Sequence, residues 1–281
     1  MTLFEQFTKE RRYLGNVSER SIEWYQQAFK WLPNENPTEA QLKQAVIRTR
    51  DEGLSARSIN SYRTALNAYL HWLKNPETKC SGACSHPRIA RMKVEEKVLS
   101  VYSPADVGAF ARWKAKTYCQ RRLQAIALML ADTGCRISEL IGLRWQDVNF
   151  DDLLVTVRGK GNKQRMIPFS LELRRYLFKL QQQTKHDLVF ATSDGHKLGR
   201  RNVLRDVKLL CKNLGVHTPE RSLHAFRHSF GVNYIRQGGS PFLLQKALGP
   251  TTLDMTNVLG VSGGYITCHA DIRFWLLMRG P

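Results

Sequence analysis

The sequence predicts a mainly helical α+β protein, in which a helical N-terminal domain precedes a second helical domain carrying a small β-sheet. Three observations predict it. Apolar residues recur at helical spacing through residues 1–73 and again beyond Ser103. A glycine-rich turn joins two short aliphatic runs between Leu153 and Pro168, the pattern of a β-hairpin. Between them, residues 74–100 are punctuated by Pro76, Ser81, Gly82, Ser85 and Pro87, as a linker would be. With 281 residues, the chain is long enough to bury two modest cores. The expected boundaries are 1–75, a linker over 76–102, and 103–281.

Taken in order, Ser18 to Trp31 opens with a Ser-Glu capping pattern and spaces Ile22, Trp24, Tyr25 and Phe29 as a helix does. Pro37-Thr38-Glu39-Ala40 starts a second helix, through Leu42, Val46 and Ile47. Ser55 to Leu73 is a third, with an apolar stripe of Ile59, Tyr62, Leu66, Tyr69 and Leu70. Its opposite face carries Arg57, Asn60, Ser61, Arg63 and Asn67, the part of this domain suited to reading DNA. In the second domain, Arg121 to Asp132 is strongly apolar and halts at Thr133-Gly134, and Arg136 to Arg144 resumes as a helix. The hairpin follows, and further helices are expected at about 171–182, 199–213, 223–237 and 241–248.

Composition narrows the partner. There are 43 Lys and Arg against 24 Asp and Glu, a net charge of +19 and a pI near 10.0. Such an excess serves a polyanion, because each neutralised phosphate releases condensed counterions. It is spread along the chain, with 14 basic and 9 acidic side chains in residues 1–92 and 29 against 15 in the remainder. Both domains are thus expected to touch double-stranded DNA. No apolar run approaches the ~18 residues of a membrane span, and Met1 to Phe7 lacks the pattern of an export signal. A cytoplasmic, prokaryotic, nucleoid-associated protein with reduced cysteines is expected. Cys80, Cys84 and His86 lie close together, but no second Cys/His pair completes a zinc site.

Three segments carry chemistry. Arg136 follows a glycine break and is followed by Glu139 one helical turn later. Lys160 sits in a glycine-rich turn, and His224 and Arg227 share a helix face at i, i+3. Two guanidinium groups, a lysine and a histidine suit a phosphodiester passing through a pentacovalent state. Arginines neutralise its non-bridging oxygens, while lysine or histidine moves protons.

Together these segments resemble the tyrosine recombinases of the phage integrase family. Thr133-Gly134-Cys135-Arg136-Ile137-Ser138-Glu139-Leu140 is similar to the first arginine box of that family. Gly159-Lys160-Gly161-Asn162-Lys163-Gln164-Arg165-Met166-Ile167-Pro168 resembles its β-hairpin, and Leu223-His224-Ala225-Phe226-Arg227-His228 its second box. The resemblance implies a SAM-like core-binding domain over 1–75 and a catalytic domain of the DNA breaking-rejoining fold over 103–281. It further implies site-specific recombination through a phosphotyrosyl intermediate, by a homotetramer on DNA that is a monomer or dimer when free. Arg136 and Arg227 would grip the scissile phosphate, Lys160 would protonate the leaving 5′ hydroxyl, His224 would assist that proton transfer, and Glu139 would orient the site. No metal or cofactor is implied. Lys163, Arg165, Arg200 and Arg201 are expected as backbone contacts beside Arg57 and Arg63.

The sequence departs from the family after the second box. Leu248-Gly249-Pro250 stands where Leu-Gly-His is usual, and counting on from it places Leu259 at the position of the tyrosine nucleophile. Leucine cannot attack phosphorus. Tyr265, six residues further on, is the later tyrosine, in a Gly263-Gly264-Tyr265 context. Two expectations follow: a recombinase that uses Tyr265 or a partner's tyrosine, or an inactive relative that binds DNA without cutting it. A shifted reading frame or truncated gene near residue 257 would account for the unfamiliar end, although Pro250 lies upstream of it.

Overall fold

Helix starts are set locally. The computed structural model describes residues 1–74, 88–94, 100–159, 164–220 and 222–248. The first helix, α1 (Leu3–Tyr13), begins with a capping box, in which the Thr2 hydroxyl accepts from Glu5 N–H and the Glu5 carboxylate from Thr2 N–H. Thr38 and Gln41 form the same box at the start of α3 (Glu39–Asp51). At α2 (Glu19–Phe29) the expected cap is absent. Ser18 makes no cap hydrogen bond, and its hydroxyl pairs with that of Ser21 at 3.0 Å. The longest helix, α4 (Ala56–Lys74), buries Ile59, Leu66, Tyr69 and Leu70, the stripe read from spacing.

The chain divides into two compact units, Met1–Lys97 and Val98–Pro281. The first is built on aromatic rings. Phe7 meets Tyr25 edge-on at 5.0 Å and Tyr69 at 5.4 Å, and Phe29 meets Tyr69 at 5.1 Å. These are the tilted arrangements that ring quadrupoles favour. The Tyr69 hydroxyl, whose pKa burial raises to about 12, donates to the Glu35 carbonyl at 2.6 Å.

The polar face of α4 differs from its expected role. Residues 88–94 lie along it, and two asparagine amides mimic backbone toward them. Asn67 accepts from Ile89 N–H at 3.0 Å and donates to the Ile89 carbonyl at 3.1 Å. Asn60 does the same with Met92, at 2.9 and 2.8 Å. Arg63, expected at DNA, donates to the Ile89 carbonyl at 3.4 Å. This face therefore docks a segment expected as linker, and Ile89 is buried in the first unit's core. The remainder of that linker, including Cys80, Cys84 and His86, falls outside the described residues.

The second unit is organised around α6 (Tyr118–Thr133), buried at every position from Gln124 to Thr133. Gly134 ends it in the left-handed conformation at φ 60°, where a Cβ would lie 2.7 Å from the Phe230 ring. Preceding it, α5 (Pro104–Arg112) has a Ser103/Asp106 capping box and proline in the first turn. The buried Gln124 amide donates to the carbonyls of Phe110, Ala111 and Trp113 at 2.8, 3.2 and 2.7 Å, capping the C-terminal end of α5. Gln124→Leu keeps the volume but orphans those carbonyls, and is expected to lower the unfolding free energy by about 2 kcal/mol. A urea-unfolding difference under about 0.5 kcal/mol would mean that water reaches them instead.

The helix expected over 136–144 is a single turn, α7 (Ile137–Leu140). Past it the backbone bonds run elsewhere: Trp145 N–H donates to the Asp187 carbonyl, and Val189 N–H to that of Leu143. A 3-10 turn, Trp145–Asp147, leads into the sheet. That sheet has three antiparallel strands in the order β1 (Val148–Asn149), β2 (Leu154–Arg158) and β3 (Gln164–Pro168). The hairpin register pairs Val157 with Arg165 and Val155 with Ile167. Helices α8 (Leu171–Gln181), α9 (Arg200–Leu214), α10 (Ser222–Arg236) and α11 (Pro241–Leu248) follow among the described residues. Among the described residues no helix is long and apolar enough to cross a membrane.

Candidate active site

Four elements of the second unit converge through the side chains of Arg136, Glu139, Arg165 and Arg227. Arg136 occupies the N-cap position of α7, so the Glu139 carboxylate, one turn on, folds back over it. The carboxylate accepts from Arg136 N–H at 2.8 Å and from the Arg136 guanidinium at 3.1 Å. Strand alternation aims Arg165 of β3 to the same side as buried Ile167. There its two terminal nitrogens meet both oxygens of Glu139, each at 2.8 Å, the planar fork-to-fork pairing. Its Nε donates to the Ala247 carbonyl at 2.8 Å.

Arg227 comes from the middle of α10, whose inner face is otherwise apolar: Leu223, Phe226 and Phe230 are buried. Its guanidinium, on a residue 8% exposed, donates to the Gly134 carbonyl at 2.9 Å and to the Leu248 carbonyl. Two arginines thus hold consecutive carbonyls, Ala247 and Leu248, at the C-terminal end of α11, where the helix dipole favours cations.

The electrostatics are those of an anion site. Burial pulls the Arg227 pKa down to about 10, and the positive charges of Arg136 and Arg165 pull it the same way. It stays a cation at neutral pH. Burial pushes the Glu139 carboxyl up, but the hydrogen bonds from Arg165 and Arg136 outweigh it and hold the pKa below 4.5. Burial also raises the neighbouring Cys135 thiol to about 11, so it is not a thiolate at neutral pH. Among the described residues, the Glu139 carboxylate thus pairs with two guanidinium groups and lies in the field of a third.

A model described as the phage integrase family matches residues 112–258. The chain belongs to that family. Two integrase-family relatives give the extent of the likeness. The tyrosine recombinase XerC of Chromobacterium violaceum is 30% identical over 79% of this chain and 75% of its own length. The tyrosine recombinase XerD of Chlorobaculum tepidum is 26% identical over 92% of this chain and 89% of its own. Among solved structures, the Tn1549 transposon integrase in complex with transposon right end DNA superposes with a TM-score of 0.75 at 19% identity, covering 99% of both chains. A lambda integrase tetramer bound to a Holliday junction does so with a TM-score of 0.64 at 18% identity, over 88% of this chain and 75% of that one. The mainly helical fold with its small sheet is that of the tyrosine recombinases.

Of the integrase-type residues read from the sequence, Arg136, Glu139 and Arg227 come together. His224 stands exposed one turn before Arg227 on α10. Lys160, Lys163, Leu259 and Tyr265 lie outside the described residues. Tyr234, on α10, is only 1% exposed, among Phe230, Leu244 and Leu248. Arg57, Arg200 and Arg201 are exposed, the last two at the start of α9. All three nitrogens of Arg165, expected as a DNA contact, donate within the protein. Its spacing in the hairpin fixed which way it faces. Its partners, 26 and 82 residues away, left no trace in the sequence.

Proposed function

We propose that the protein acts in site-specific DNA strand exchange, holding one backbone phosphate of a duplex between Arg136 and Arg227. The observation that carries this reading is the excess of cations at their meeting point. Arg227 is a buried guanidinium whose nearest charges include two further guanidiniums and a single carboxylate. An anion with several acceptor oxygens relieves that repulsion, and a phosphodiester supplies it. Salt-sensitive binding to DNA follows from the +19 charge, to which the exposed Arg57, Arg200 and Arg201 contribute.

In the cleavage step of this reading, a tyrosine oxygen attacks phosphorus and the bond to the 5′ oxygen breaks. Arg136 and Arg227 neutralise the non-bridging oxygens. Lys160 delivers a proton to the leaving oxygen, with His224 assisting. The phosphotyrosyl bond retains the energy of the broken linkage, so neither metal nor nucleotide enters. Tyr265, or a tyrosine of another copy, supplies the hydroxyl, within a homotetramer on DNA that is a monomer or dimer when free. The setting is the cytoplasm, on the nucleoid.

A second reading is favoured by Leu259 at the register of the family nucleophile: the protein occupies recombination sites without cutting them. A duplex selected by the protein from a randomised pool, then nicked near its centre, separates the two. Cleavage predicts a covalent protein–DNA adduct on a denaturing gel, lost in Tyr265→Phe with binding intact. Tight binding with no adduct, in mixtures with an active relative as well as alone, would leave only the second reading.

A further inference from the structure

Arg165 carries a further inference, which rests on the phosphate-binding reading above and deepens it. We infer that Arg165 is a positioning residue, which sets the orientation of Arg136 through Glu139 and ties it to the end of α11 through Ala247, rather than a contact to DNA.

The argument is geometric. Both oxygens of Glu139 are shared. Oε1 accepts from Arg165 Nη1 and from Arg136 Nη1, and Oε2 accepts from Arg165 Nη2 and from Arg136 N–H. A planar fork closing on both oxygens at 2.8 Å fixes the plane of the carboxylate, and that plane fixes the head of Arg136. Without Arg165, the carboxylate keeps only a neighbour three residues away whose side chain is 31% exposed, a pairing that solvent readily loosens. Arg165 is itself only 17% exposed, and its third nitrogen is held at 2.8 Å by the Ala247 carbonyl. The next carbonyl, Leu248, is held by Arg227. Arg165 thus joins α7, β3 and α11 into one frame, and the two arginines that grip phosphate are both tied to it. A lysine cannot replace it, because a point charge cannot close a fork on Glu139 and reach Ala247 together.

The test is a methylphosphonate scan of the duplex selected from a randomised pool, neutralising one phosphate at a time. In the wild type, one position near the centre of each strand is expected to weaken binding by about tenfold or more. In Arg165→Lys that position should no longer stand out, although the charge is kept. In Arg165→Met it should also vanish. A role in stability alone would lower the fraction folded and leave the scan of the folded protein unchanged. Should Arg165→Met fail to fold, Glu139→Gln/Arg165→Met removes cation and anion together and is expected to lose the same position. The inference is overturned if the central position persists in these variants, or if Arg165→Lys, which keeps the charge that an ordinary backbone contact needs, scans as the wild type does. A wild type with no standout position overturns the phosphate-binding reading itself, and this inference with it.

Discussion

Glu139→Ala is expected to lower the unfolding free energy by about 3–5 kcal/mol, the range found when one partner of a buried ion pair is removed. The Glu139 side chain is 2% exposed and accepts four hydrogen bonds, all from Arg136 and Arg165. Its removal takes away those four acceptor contacts and, among the described residues, the carboxylate that lies beside three guanidinium groups. Arg136 can swing toward water, since its side chain is 31% exposed, but Arg165 is held by Ala247 and Arg227 is buried. Truncating Arg165 as well should recover part of the loss, so Glu139→Ala/Arg165→Met is expected to be less destabilised than the sum of its parts. Urea midpoints at constant slope measure all three variants. A loss below about 1 kcal/mol in Glu139→Ala would mean that water already serves these cations.

The same carboxylate has a pH signature with a definite sign. Its folded pKa lies below 4.5, so it binds protons less readily folded than unfolded. Its contribution is therefore complete above 4.5 and is lost as pH falls through the lower folded value. The stability difference between wild type and Glu139→Ala should be flat from neutral pH down to about 5 and should narrow below that. A difference that widened in acid would contradict the pairing.

Much of this site was legible before any coordinates. Glycine breaks and capping residues marked where helices begin and end, and the spacing of Arg136 to Glu139 and of His224 to Arg227 put each pair one turn apart. The hairpin was legible because a glycine-rich turn between two aliphatic runs admits little else. What escaped depends on partners that local pattern cannot name. Val148–Asn149 is too short to show alternation, so the third strand went unread. Asn60 and Asn67 look like a DNA-reading face. Only the fold reveals that their amides are matched, donor to acceptor, with the backbone at Met92 and Ile89. The helix expected to reach Arg144 stops at Leu140, and just beyond it the Leu143 carbonyl and the Trp145 N–H pair with a segment more than forty residues away. Arg165 reads in the sequence as a surface cation, and its inward direction follows from strand parity combined with a buried carboxylate 26 residues earlier.

Arg227→Ala should separate the roles of the two arginines proposed to grip phosphate. Arg136 sits at a partly exposed N-cap position, so Arg136→Ala is expected to destabilise by only about 1 kcal/mol while, on the proposed reading, abolishing the central methylphosphonate effect. Arg227 is also a strut. It bonds the Gly134 carbonyl, where α6 ends in a left-handed residue, and the Leu248 carbonyl, where α11 ends. Each orphaned carbonyl costs about 1–3 kcal/mol, and the emptied volume adds to that. Removing a cation whose pKa burial, and then its cationic neighbours, hold down to about 10 gives some of this back. The net expectation is a loss of about 3 kcal/mol together with loss of both the central phosphate effect and any covalent adduct. Arg227→Lys restores charge but offers one head group for two carbonyls on different helices, so it should recover less than half of the stability. If Arg227→Ala unfolds at the wild-type urea midpoint, the carbonyl contacts are not what hold α6 and α11 together at this site. If it is destabilised yet still distinguishes the central phosphate, Arg227 is structural only, and the anion must be gripped by other cations of the second unit.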